Sequence, residues 1–192
     1  MKTKWFLATF FISLTSLTSA LWAGADSGVE FQVEGGMVSP VSKQLYDNYT
    51  SGYSFGAAIG YKFSSHFSVL LDGEYQDVDG QNPFSSTPFA LNTLEMAVLE
   101  KYRFDSISNI HPFLFIGEGA VINIPSGGNP LGADSNETDA LAEGGLGVEF
   151  SLGDRANAFI QAKESLDLTK PSFSPDKVTL YLPIQVGVNF SL

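Results

Sequence analysis

Every second residue from Val178 to Phe190 is apolar: Val178, Leu180, Leu182, Ile184, Val186, Val188 and Phe190. Side chains of a strand point alternately to opposite faces, so this pattern predicts a strand with one apolar face. Tyr53, Phe55, Ala57, Ile59, Tyr61 and Phe63 alternate with Ser54, Gly56, Ala58, Gly60 and Lys62. Ala142 to Leu152 repeats the pattern against Glu143, Gly145, Gly147, Glu149 and Ser151, and Val29, Phe31 and Val33 alternate with Glu30, Gln32 and Glu34. Val69, Leu71 and Tyr75 alternate less cleanly with Leu70, Asp72 and Glu74, and the segments 92–104, 112–123 and 156–168 fit with defects. No stretch shows a helical period.

These segments predict eight strands of about 10–13 residues, where the mean strand of a soluble protein has about 5–6 and a tilted strand crossing a bilayer needs about 9–11. The connections at 39–51, 78–91, 124–139 and 169–176 are long, and those at 64–66, 105–111 and 153–155 are short. Long loops on one side and tight turns on the other are the layout of an outer-membrane barrel, with both chain ends on the periplasmic side. The expected fold is therefore all-β, an eight-stranded antiparallel up-and-down transmembrane β-barrel. A soluble lipocalin-like barrel that binds a small ligand shares the strand count, with the apolar face turned inward. Three features favour the membrane form. The small residues of the second strand suit an interior with room only for packed side chains. Phe63, Phe67, Tyr102, Phe104, Phe113, Phe150 and Phe190 gather near the short turns, as an interfacial girdle would. The chain is also expected to begin with an export signal.

That signal is read from Lys2 and Lys4, the uncharged apolar run from Trp5 to Leu17, and the small residues Ala23-Gly24-Ala25. Residues 1–25 are expected to be a signal peptide and residues 26–192 the barrel domain. Removing the two lysines shifts the formal charge from −11 to −13. So acidic a chain is a poor nucleic-acid binder, which needs a basic patch. The absence of cysteine removes thiol catalysis, disulfides and zinc–thiolate sites together.

The ending YLPIQVGVNFSL (Tyr181–Leu192) resembles the last strand of small Gram-negative outer-membrane barrels, the porin-like group with OmpA-type and OmpX/Ail-type members. EKYRF (Glu100–Phe104), HPFLFIGEGA (His111–Ala120) and AFIQAKESLDL (Ala158–Leu168) resemble the corresponding strands. The resemblance covers nearly the whole mature chain, and its motifs mark barrel strands rather than an activity. Such proteins commonly end in an aromatic residue read by the insertion machinery; here Leu192 is last and Phe190 stands two before it. The resemblance implies a monomer in the outer membrane, with membrane lipid and the barrel insertion machinery as partners and a surface ligand reached through the long loops.

The parity of the strands turns Glu30, Glu34, Lys62, Asp72, Glu74, Glu95, Lys101, Arg103, Glu143, Glu149 and Lys163 inward. Four bases among seven acids predict a charge network that plugs and stiffens the barrel, since buried charges must pair. A narrow polar pore is the alternative. Regular alternation places Glu100 and Glu164 on the lipid face, and a bulge would turn either inward.

The expected role is structural or surface-interacting, not enzymatic, and without cofactor or metal. A lipid A deacylase would need a His/Ser pair, and neither His66, in the turn Ser64-Ser65-His66, nor His111, before Pro112, has a hydroxyl partner at a shared-face spacing. Asp77-Val78-Asp79-Gly80 and Asp134 to Asp139 cluster oxygen ligands in loops but lack the spacing of a calcium loop. Tyr46, Tyr49, Phe84, Phe89 and Phe173 are aromatics in or beside loops that could form an adhesive surface.

Overall fold

A computed structural model describes residues 27–41, 49–80, 89–105, 108–127, 136–168 and 179–192. Eight strands run in chain order: β1 (Gly28–Pro40), β2 (Gly52–Lys62), β3 (Phe67–Asp79), β4 (Phe89–Arg103), β5 (Ile110–Gly127), β6 (Glu137–Ser151), β7 (Ala156–Asp167) and β8 (Thr179–Ser191). Each pairs antiparallel with its neighbour, and β1 pairs with β8, which closes the barrel. No helix occurs among the described residues. β1, β2, β3, β7 and β8 have 11–13 residues, within the expected range, whereas β4 and β6 reach 15 and β5 reaches 18 and absorbs part of the segment read as a long loop. The expected signal peptide lies outside the described residues.

The register fixes the barrel's shape. A path along paired residues runs from Glu30 through Gly60, Leu70, Leu99, Gly117, Glu143, Ser165 and Tyr181 back to β1 at Pro40. It therefore returns ten residues from its start. A stagger of that size over eight strands requires strands tilted by about 35–45° to the axis, and it leaves an interior only as wide as packed side chains can fill.

Alternation sorts the two faces. Met37, Phe55, Ile59, Met96, Ile116, Leu146 and Val186 point outward and are exposed, Leu146 at 67% and Ile116 at 60%. A belt of this breadth in water would be an aggregation surface, whereas in hydrocarbon it carries no penalty. Aromatic rings edge the belt at the short-turn end: Tyr61 lies on Phe63, Tyr102 on Phe104, and His66 stacks on Tyr102. A second aromatic group lies nearer the other end, where Phe55 packs on Tyr75 and the Tyr53 hydroxyl donates to Asp77 at 2.9 Å.

Several expectations change at this level. Phe113 is not part of the girdle: it is 2% exposed and points inward, as do Phe115 and Phe159. From Pro112 to Gly117 β5 is apolar on both faces, so alternation alone could not orient that stretch. Asp77 to Asp79 end β3 rather than forming a loop, with Val78 buried between them. Tyr49 is buried too, paired with Gly80, and Phe89 begins β4. Tyr46, Phe84, Phe173, Asp134 and Ser135 lie outside the described residues. Glu100 and Glu164 sit in an unbulged register, opposite Ile116 and Gly144, on the outward parity of their strands.

Candidate functional site

The interior is the chemically distinctive part of the molecule, and it is layered. Ten of the eleven charged residues read as inward are buried, and Lys62 is half-buried at the short-turn mouth. The layer nearest that mouth is balanced, two cations against two anions. Lys101 Nζ lies 2.5 Å from Glu149 Oε1, and Arg103 Nε donates to Glu149 Oε2 at 2.9 Å. The other arm of Arg103 pairs with Glu30, and its Nη1 donates to Ser68 at 3.0 Å. Asn189 donates to Glu30 as well, and to Glu149 Oε1 at 3.3 Å. Lys101 Nζ also stands 4.2 Å from the centre of the Phe113 ring, where the face of the ring attracts a cation.

The middle layer is unbalanced. Lys163 pairs with Glu74 and reaches Asp72 at 3.4 Å, Glu143 at 3.6 Å and Glu95 at 3.9 Å. Glu34 joins from β1, accepting from Gln32 at 2.5 Å and Gln161 at 3.1 Å. Gln161 continues to Gln185 and Gln185 to Ser54, so an amide chain ties β7, β8 and β2 together. Nearer the long-connection mouth, Asn123 donates to Asp167 at 3.2 Å and Asp139 at 3.3 Å. Above lies an apolar cap of Val38, Tyr49, Val78, Leu91 and Tyr181. Burial pushes the Tyr49 phenol up to about 12.

One sector of the wall is apolar instead: Leu70, Leu99, Phe113, Phe115, Val121, Leu141 and Phe159. Three phenylalanines face glycines directly across a strand pair, Phe113 with Gly147, Phe115 with Gly145 and Phe159 with Gly187. A Cβ on any of these glycines would run into the ring. The glycines thus exist to seat large inward rings on the neighbouring strand.

Asp139 and Asp167, and the amides Gln32, Gln76, Asn123, Gln161, Gln185 and Asn189, also belong to the interior but were not among the charged residues singled out from the sequence. Strand parity carried that signal; the long connections beside Asp139 and Asp167 obscured it.

The histidines require a correction. His66 Nδ1 lies 2.9 Å from Ser65 Oγ and its Nε2 2.8 Å from Asp105, while His111 Nε2 lies 3.2 Å from Ser151 Oγ. Both therefore have hydroxyl partners, supplied by a sequence neighbour in a turn and by the paired strand rather than by shared-face spacing. These groups rim a cavity of about 340 Å³ at the short-turn mouth, together with Lys62 and Arg155. The Asp105 side chain is 96% exposed. The Ser65–His66–Asp105 string therefore lies at the solvent-facing mouth.

No protein-family model matches the sequence, and no curated protein matches it. Among solved structures, Neisserial surface protein A superposes with a TM-score of 0.63 at 17% identity, over 86% of this chain and 99% of that one. OprG from Pseudomonas aeruginosa gives 0.57 at 15% identity, over 88% and 98%. The N-terminal barrel domain of Pseudomonas aeruginosa OprF gives 0.52 at 15%, over 87% and 98%. With its closed eight-strand sheet, apolar exterior and filled polar interior, the chain has the fold of the small eight-stranded outer-membrane β-barrels.

Proposed function

We propose that the protein is a non-enzymatic, closed barrel of the Gram-negative outer membrane, which serves as a rigid membrane platform for its four longer connections. The observation that carries this reading is the filled interior. A balanced Lys101–Arg103–Glu30–Glu149 layer, an acidic layer around Lys163 and an apolar cap stand in succession along the axis. A solute would have to break all three. The connections at 41–51, 80–88, 128–136 and 168–178 all leave from the capped end, so a partner at the cell surface would meet them first. The girdles and the apolar belt anchor the platform in lipid. No second oligomeric partner is required, because closure removes the free strand edges through which sheets associate. Planar-bilayer recording of the purified protein tests the closed state, with no steps above background expected. Reproducible ohmic steps would replace this reading with that of a small porin.

A further inference from the structure

We propose that the short-turn mouth of the barrel binds one small oxyanion of the phosphate class, held by the Lys62 ammonium and the Arg155 guanidinium. Both side chains line the cavity of about 340 Å³ at that mouth. Lys62 ends β2 on the inward parity of the buried Ser54 and Ala58, and Arg155 stands in the turn between β6 and β7. β7, β8 and β1 lie between them in the closed sheet. On that arc Asn157 and Ser191 line the same cavity, on the inward parities of Gln161 and Asn189. β1 begins there with Gly28, paired to Lys62, so no side chain of β1 fills the arc at this level.

Charge separates these two cations from the others. Five lysines and arginines fall among the described residues. Lys101, Arg103 and Lys163 are spent on buried carboxylates. Lys62 and Arg155 have no side-chain partner among the described residues, and the same holds for the Asn157 amide and the Ser191 hydroxyl. The acids of the cavity wall are spent instead: Glu149 pairs with Lys101 and Arg103, and Asp105 with His66 at 2.8 Å. Asp154 is left, one acid against two cations. The mouth is therefore electropositive on a chain whose formal charge is −11.

These donors select the class of ligand. A guanidinium presents a planar fork that matches two oxygens of a phosphate, and an ammonium adds a point charge. The Asn157 amide and the Ser191 hydroxyl offer further N–H and O–H groups to the remaining oxygens. A cation would be repelled by Lys62 and Arg155, and an apolar ligand would strip both of water without pairing them. The volume is roughly that of ten waters, which admits a phosphate group with part of its hydration shell. Lys62, Asn157 and Ser191 point into the lumen, so the occupant enters from the water beyond the short turns rather than along the lipid face. The cavity also lies outside the three layers that close the barrel, so conductance and oxyanion binding are separate outcomes.

The test uses the full barrel, folded in a non-ionic, phosphate-free detergent and titrated with inorganic phosphate by calorimetry. Saturable binding of one phosphate per chain is expected at low salt, with a Kd of roughly 1 mM or tighter, and it should weaken as NaCl is raised. Lys62→Gln and Arg155→Gln should each raise Kd about tenfold, while Lys62→Arg, which keeps the charge, should bind like the wild type. Asp154→Asn removes the unspent acid and should tighten binding about two- to threefold. Heat-modifiability checks that each variant is folded, and Asp154→Asn probes the site without removing a cation. A wild type with no saturable binding at roughly tenfold that concentration overturns the proposal. Equal Kd values in K62Q, R155Q and the wild type overturn it as well. The titration is repeated in phosphatidylcholine nanodiscs with and without phosphatidylglycerol. An unchanged Kd supports a soluble occupant, whereas loss of phosphate binding with phosphatidylglycerol would assign the site to a lipid headgroup and overturn the soluble one.

Discussion

Arg103 is held on three sides, by Glu30, Glu149 and the Ser68 hydroxyl, at 6% exposure. Removing it leaves two carboxylates buried against a single lysine, and one-sided loss of a buried pair costs about 3–5 kcal/mol. Arg103→Ala is therefore expected to lower the urea midpoint of the barrel in lipid vesicles markedly. Arg103→Lys should recover part of the loss, since an ammonium keeps the charge but cannot span both carboxylates. An Arg103→Ala midpoint equal to wild type would refute the pairing. Arg103 could be placed inside from the sequence because it shares parity with Glu95 and Lys101, despite the defects at Leu99 and Glu100. Its partners could not: Glu30 and Glu149 are 73 and 46 residues away, and only the register brings them together. The same holds for His66 and Asp105, 39 residues apart at neighbouring turns.

The strand pair β5–β6 shows why an element can be legible on one face and not the other. The outward row of β6, with Leu146, Val148 and Phe150, is plain in the sequence. Its inward row, Gly145 and Gly147 between Glu143 and Glu149, reads only as small. The structure gives the reason: the rings of Phe115 and Phe113 lie over those two glycines. From Pro112 to Gly117 β5 is apolar on both faces, so its inward phenylalanines resemble interfacial ones until pairing fixes their parity. Gly147→Val is thus expected to displace the Phe113 ring and cost at least the 1–3 kcal/mol typical of overpacking. It should appear as a reduced fraction of folded, heat-modifiable barrel. Gly144→Ala serves as the contrast, because its new Cβ would meet only the Phe115 carbonyl oxygen at 3.8 Å and point outward. Equal folded fractions for the two variants would remove the ring-seating role of the inward glycines.

At the scale of the molecule, hydrophobicity is inverted relative to a soluble domain, since apolar side chains form the coat and charges line much of the interior. This inversion explains why a chain that is 44% hydrophobic and 16% charged can be densely ionic inside. It also makes depth in the bilayer the variable that decides the cost of a surface charge. Leu146 and Leu152 share the outward face of one strand and its extension, at 67% and 63% exposure, six positions apart. Leu146 lies within the belt, whereas Leu152 sits where β6 gives way to the short turn into β7, its amide donating to the Ala156 carbonyl. A soluble barrel would accept arginine equally at both positions. In lipid, Leu146→Arg is expected to cost about 2–4 kcal/mol and Leu152→Arg about 0–1, following the depth dependence of basic residues on the lipid face. Reversible unfolding in vesicles of defined thickness measures the difference. It should grow at Leu146 as the bilayer is thickened, because the guanidinium then has farther to reach to the interface. Equal costs at the two positions would mean that this face does not meet hydrocarbon.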